Sequence, residues 1–343
     1  MGEAVDVAAR IRVIDCAGPG SLPIDELLAS GQPAVLRGLA GEWGLVQAAS
    51  RSMHDAMDYL RGYYNGQPVT YSWGGPEVAG RPFYNAGFTD LNCEVRRSDL
   101  GQVLDEIAAH ADDPRPPTYY VASLLIDSRL PGMRDDNDLG LAAHGIQAAP
   151  SIWIGNRVTA SCHYDALNNI ACCAVGRRRF TLFPPGQISN LYPGPLEPTP
   201  GGQAVSVVDF AAPDFERYPR FRDALAAGQS AVLEPGDAIF IPSLWWHHVQ
   251  GLEPFNVLVN YWWSSAAAYV PTPMHALYHA LWTLRDRPER EKQAWRDIFD
   301  YYVFGPADRA GEHLPEAARQ VLGPVDENLA RQLRAMLIGK LNR

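Results

Sequence analysis

The feature that most restricts this chain of 343 residues is a pair of short segments about eighty residues apart. The first is Ser161-Cys162-His163-Tyr164-Asp165, and the second is Ile241-Pro242-Ser243-Leu244-Trp245-Trp246-His247-His248. Side chains alternate faces along a strand, so His163 and Asp165 point the same way and can grip one ion together. Alone, such a pair carries little weight in a chain with nine histidines. The second segment changes that weight. Glu234-Pro235-Gly236-Asp237 reads as a turn, and the apolar run Ala238-Ile239-Phe240-Ile241 reads as a buried strand that delivers the Trp-Trp-His-His cluster to its far end. Two imidazoles and one carboxylate on one face of an ion leave the opposite positions open, an arrangement that suits a mononuclear non-haem Fe(II) site. Neighbouring strand residues face opposite ways, so His247 or His248 supplies the third ligand, but not both.

The spacing of Gly236, Pro242 and His247 matches the second sequence motif of the cupin barrels, with Leu244 standing where that motif has glycine. Together, His163-x-Asp165 and the later Pro-x-x-Trp-Trp-His resemble the cupin-like JmjC oxygenases that use 2-oxoglutarate. The joining segment carries the likeness further. Phe183-Pro184-Pro185, Leu191-Tyr192-Pro193, Val208-Asp209-Phe210, the run from Pro213 to Pro219, and Phe221 are similar to the asparaginyl hydroxylase of hypoxia signalling, over about residues 118–263.

This resemblance implies a mainly β fold with helical additions: a double-stranded β-helix of jelly-roll or cupin type. Residues 118–270 would form the catalytic barrel, 1–117 an N-terminal α/β elaboration packed on it, and 271–343 a C-terminal helical region. It places the third ligand directly after the aromatic pair, hence at His247, and leaves His248 as an outward residue or hydrogen-bond partner. The ligand set would be His163, Asp165 and His247 around Fe(II). The co-substrate 2-oxoglutarate needs a fixed cation for its distal carboxylate. The family's lysine for that task lies fifteen residues after the first histidine, where this chain has Arg178. Arginine is the better bidentate partner but is longer and rigid in its fork. Tyr120, Asn169 and Asn260 align with the family's other donors, and Thr159 stands displaced ahead of His163, with Ser161 as an alternative.

The implied activity is hydroxylation of a C–H bond coupled to oxidative decarboxylation of 2-oxoglutarate, acting on a protein or peptide side chain, with small molecules open. Two other readings remain. A metal-dependent cupin enzyme that does not use 2-oxoglutarate is kept open by Arg178, and a catalytically silent scaffold would use barrel and helices to bind a partner.

The remaining sequence narrows the setting. A net charge of −10 and a single basic run, Arg177-Arg178-Arg179, argue against nucleic-acid binding, since strand alternation splits that run between two faces. Nothing reads as a membrane span or secretory signal, and five cysteines without a C-x-x-C spacing fit a reducing compartment and no zinc site. A cytoplasmic protein is expected. Helical spacing is found over 52–64, 99–111, 274–285, 288–304 and 327–341, and strands over 34–37, 119–125 and 151–154. Residues 71–92 read as loops and short strands beside the barrel. In the last helix Leu329, Leu333, Met336, Leu337 and Leu341 form one apolar stripe that needs burial. Members resembling this chain dimerise through C-terminal helices, so a homodimer is the expected assembly.

Overall fold

The computed structural model describes residues 7–342. Its first strands are β1 (Ala9–Arg10), β2 (Arg12–Asp15), β3 (Ala34–Arg37), β4 (Val69–Gly74), β5 (Glu94–Ser98) and β6 (Thr118–Leu125). Eight more follow: β7 (Ala149–Gly155), β8 (Thr159–Tyr164), β9 (Asn168–Val175), β10 (Arg178–Phe183), β11 (Gln229–Leu233), β12 (Ala238–Ile241), β13 (Trp246–Gly251) and β14 (Asn256–Trp263). These last eight make a jelly roll. One half runs β12-β9-β14-β7 and the other β11-β10-β13-β8, with every neighbouring pair antiparallel.

The N-terminal residues add strands to these sheets and pack helices on the face of the larger one. β2 and β3 continue the first half beyond β12, and β6, β4 and β5 continue it beyond β7, giving nine strands. β1 pairs with β11 in the other sheet. The first compact unit runs to Trp263 and the second begins at Ser264.

Alternation along the strands sorts side chains into three cores. On β14, Val257, Val259, Tyr261 and Trp263 face outward, onto a core shared with Leu45, Met57, Leu60, Leu100, Val103 and Leu104 from the helices Gly44–Arg51, Met53–Tyr63 and Leu100–Ala109. Leu258 faces inward, with Ala171 and Cys173 of β9, Phe180 and Leu182 of β10, and Val249 of β13, between the two sheets. The outer face of the smaller sheet carries Cys162, Phe183 and Trp246, covered by Leu191, Val208, Phe210 and Phe221 of the segment joining β10 to β11. Both faces of β9 are therefore covered, which explains why all eight of its residues are buried. Each fully buried aliphatic side chain contributes about 1.5–3 kcal/mol, so these layers hold the barrel rigidly around whatever its interior binds.

Helices Met274–Thr283, Glu289–Phe299 and Glu327–Leu341 form most of the second unit, with a π-helical turn at Asp300–Phe304. Much of its apolar surface is open: Trp282 is 74% and Phe304 75% exposed, and Met336, Leu337 and Leu341 of the expected stripe are exposed too. Among the described residues no helix is long and apolar enough to cross a membrane.

Candidate metal centre

Strands β8 and β13 bring the two short segments together. His163 and His247 are direct partners across the ladder, with ring centroids 4.2 Å apart. Asp165 follows the end of β8, and its Oδ2 lies 3.6 Å from His247 Nε2. One ligand atom from each of the three residues falls within 4.8 Å of the others.

Backbone carbonyls fix both imidazoles. His163 Nδ1 donates to the Ser161 carbonyl at 2.8 Å and His247 Nδ1 to the Trp245 carbonyl at 3.0 Å. A carbonyl can only accept, so Nδ1 carries the proton in each ring and Nε2 keeps a lone pair for a metal. Burial, reinforced by the neighbouring His163, lowers the pKa of His247 to about 4 against the opposing pull of Asp165. The ring is therefore neutral near pH 7, the form that binds metals.

The turn that aims Asp165 explains the departure at Leu244. Leu244 sits at φ 66°, the left-handed region in which a glycine is normally found, and its N–H donates to the Asp165 carbonyl at 2.7 Å. A leucine there costs about 1–2 kcal/mol. Next to it, Ser243 N–H donates to Asn168 Oδ1 at 3.1 Å, so two hydrogen bonds dock this turn on the one after β8.

His248 faces the other way. Its ring is buried on the outer side of the sheet, stacked on Phe210 with centroids 4.3 Å apart, and it takes no part in the triad.

Deeper in the barrel lies a buried cation with no counter-charge among the described residues. Arg178 shares the inward face of β10 with Phe180 and Leu182, is 4% exposed, and has no hydrogen-bond partner at Nε. Among the described residues no carboxylate pairs with it. Burial lowers its pKa, and only Tyr120 and Cys173 act to raise it. Tyr120 on β6 lies within the same field: burial raises its phenol to about 12 while Arg178 lowers it, and its ring is 5.6 Å from that of Trp153. Asn260 Nδ2 donates to Asn169 Oδ1 at 3.0 Å, leaving Asn260 Oδ1 free, and the indole N–H groups of Trp153 and Trp262 are also buried without partners. A desolvated guanidinium left alone costs several kcal/mol. An acid entering the barrel would satisfy it. The donor set thus fits a carboxylate co-substrate, and the triad fits a divalent metal.

The structure does not bring Thr159 into this group. Ala160 stands opposite Val249 and both pack in the interior, so Thr159, opposite Gln250, belongs to the outer face. Ser161 is engaged by Arg81, whose Nε donates to its hydroxyl at 3.0 Å. Arg81 comes from the loop-like region before residue 92, and nothing in its local sequence marks it.

A jelly-roll barrel with two histidines and a carboxylate converging at one end, and a buried guanidinium inside that no carboxylate among the described residues pairs with, defines a cupin-type protein with a candidate metal centre. A family model described as a Cupin-like domain matches residues 20–269, and the chain belongs to that family. It is similar to "Lysine-specific demethylase JMJ31" of Arabidopsis thaliana, 34% identical over 200 residues, covering 57% of this chain and 34% of that protein. It is also similar to human "HSPB1-associated protein 1", 33% identical over 128 residues, covering 37% of this chain and 25% of that protein. A third relative is "tRNA wybutosine-synthesizing protein 5" of Gallus gallus, 28% identical over 172 residues, covering 50% of this chain and 44% of that protein. The chain therefore spans less than half the length of each of these relatives.

Proposed function

We propose that the protein is an Fe(II)- and 2-oxoglutarate-dependent oxygenase that hydroxylates a C–H bond on a protein or peptide side chain. The observation that carries this reading is the His163-Asp165-His247 triad in the same barrel as the buried Arg178, whose Nε has no partner. Iron and 2-oxoglutarate, when bound, supply the chemistry: with dioxygen they convert a C–H to a C–OH while 2-oxoglutarate becomes succinate and carbon dioxide. The chain's own residues supply position and environment. His163 and His247 offer Nε2 lone pairs and Asp165 a carboxylate, all from one side, leaving the opposite side to ligands. Arg178, assisted by Tyr120, takes the distal carboxylate of the keto acid, and Asn169 and Asn260 offer further polar contacts. Trp153 and Trp262, with ring centroids 5.8 Å apart, narrow the interior and limit water.

The similarity of the joining segment to an asparaginyl hydroxylase supports hydroxylation as the end point. The name of the Arabidopsis relative favours a second outcome, hydroxylation of an N-methyl group on lysine, which then leaves as formaldehyde. Product mass distinguishes gain of one oxygen from loss of a methyl. Exposure of Trp282, Phe304, Leu337 and Leu341 supports a homodimer through the C-terminal helices, and a monomer by light scattering at micromolar concentration would refute that part.

The decisive test is anaerobic titration of the Fe(II)-loaded protein with 2-oxoglutarate, followed by the visible charge-transfer band of a chelated keto acid. The band is expected in the wild type, weakened in Arg178→Ala and absent in Asp165→Ala, which should also lose iron. Iron binding without a band would favour a cupin enzyme that does not use 2-oxoglutarate. Failure to bind iron would favour a scaffold.

A further inference from the structure

The two ligand imidazoles are held alike, each by the carbonyl two residues upstream, but those carbonyls are not anchored alike. Trp245, which serves His247, is buried in the barrel interior, so packing fixes its peptide. Ser161, which serves His163, lies in a β-bulge. The register passes from His163 opposite His247 to Ala160 opposite Val249, so Ser161 and Cys162 together oppose His248. A bulge interrupts the ladder and re-aims its peptide groups, so an anchor outside the strand has to hold it.

Two such anchors are present. The Cys162 carbonyl accepts from Ser206 N–H at 2.7 Å. The Ser161 hydroxyl accepts from Arg81 Nε at 3.0 Å. The guanidinium of Arg81 is itself gripped on every side: Nη2 donates to the Val208 carbonyl at 3.2 Å, Nη1 lies 3.6 Å from Asp209, and Cζ sits 3.9 Å from the centre of the Phe83 ring. The preceding residue pins the loop. Gly80 donates its N–H to Thr118 Oγ1 at 3.1 Å and accepts from Thr159 N–H at 2.8 Å, so Arg81 is delivered to the bulge from a fixed backbone.

The geometry points to Arg81 as a positioning residue for the metal centre: through Ser161 Oγ it fixes the carbonyl that keeps His163 in the tautomer and rotation needed to bind a metal through Nε2. This rests on reading the triad as a metal site. Arg81 is not itself one of the three ligand residues. Because it also holds Val208 and Asp209, it links the segment between β10 and β11 to one ligand and not to the other, which makes His163 the ligand most open to disturbance.

Co(II) titration of the full chain tests this without turnover, since the visible d–d bands report coordination geometry as well as affinity. Arg81→Ala and Ser161→Ala are each expected to weaken Co(II) binding by about tenfold or more and to alter the bands, as removal of a ligand's hydrogen-bonding support does. The double variant should be no weaker than the worse single one, because both break one link. Ser161→Thr, which keeps the hydroxyl, should restore affinity and spectrum, and Asp209→Asn, which removes only a half-exposed ion pair, should change little. Unchanged affinity and bands in both alanine variants would overturn the proposal, even if their melting temperatures fall. Should Arg81→Ala fail to fold, Ser161→Ala decides alone. Wild type that binds no Co(II), or His163→Ala that binds it equally well, would overturn the metal reading beneath it.

Discussion

Replacing Arg178 with methionine separates a residue that holds the barrel together from one that waits for a ligand. The guanidinium is buried beside Tyr120 and Cys173, has no carboxylate partner among the described residues, and leaves Nε unpaired. An isolated buried ion costs several kcal/mol, and exchanging buried charge for an apolar side chain of similar volume is commonly neutral or stabilising by about 1–4 kcal/mol. Methionine has similar length and adapts to irregular space. In a domain of this size each kcal/mol moves the melting temperature by about 2–4 °C, so the ligand-free variant should melt no lower than wild type and up to about 16 °C higher. The response to ligand should reverse. With Co(II) present, 2-oxoglutarate at about a hundred times its Kd should stabilise wild type by about 2.7 kcal/mol, and in Arg178→Met that gain should fall to what pyruvate gives. Pyruvate, a keto acid without the distal carboxylate, should shift both proteins equally. Differential scanning calorimetry of both proteins, ligand-free and with each acid, reads all six cases. A ligand-free variant that melts several degrees lower, or one that keeps the 2-oxoglutarate shift, would refute the argument.

Other consequences are local. Leu244→Gly should leave stability unchanged or raise it by up to about 1 kcal/mol, since relief of the left-handed strain outweighs the added backbone freedom; a lower melting temperature would mean that the leucine side chain is supporting the turn. Gly80→Ala should destabilise by about 2 kcal/mol or more in denaturant titration, because Gly80 has φ +74° and a Cβ there would overlap the Arg157 carbonyl oxygen. Of five thiols, Cys162, Cys172 and Cys173 are buried, and burial raises each of their pKa values, that of Cys173 to about 12. A thiol reagent at neutral pH should therefore label only Cys16 and Cys93 until denaturant is added, and modification of a third in the native protein would contradict this packing.

Periodicity located the long elements and missed those whose reason to exist is elsewhere in the chain. The spacing over 52–64 and 99–111 corresponds to helices Met53–Tyr63 and Leu100–Ala109, each with a side-chain cap, from Ser52 and Asp99. Helix Gly44–Arg51 has no such cap and begins with a glycine, so nothing local announces it. Residues 71–92 read as loops and short strands, and the end of Val69–Gly74, a ladder strand between β5 and β6, falls within them. Its neighbour Glu94–Ser98, at the edge of the sheet, has no apolar face to signal it.

At the site, the difference between what could and could not be read follows from register. Alternation is enough to put His163 and Asp165 on one face and to let only one of His247 and His248 join them, while the family resemblance is what singles out His247. The bulge at Ser161 and Cys162 is invisible to such counting. It adds a residue between Ala160 and His163, so the interior neighbour of the ligands is Ala160 rather than Thr159, and Ser161 turns outward to Arg81. The isolation of Arg178 is equally nonlocal: a sequence can show an arginine on a strand, but only the packed barrel shows that no acid among the described residues reaches it. The irregular rung and the unpaired charge are both costly to folding, and both occur where the chain would meet metal and co-substrate. Stability alone would favour a regular β8 and an apolar residue at position 178, so binding is what gives these two features a physical reason.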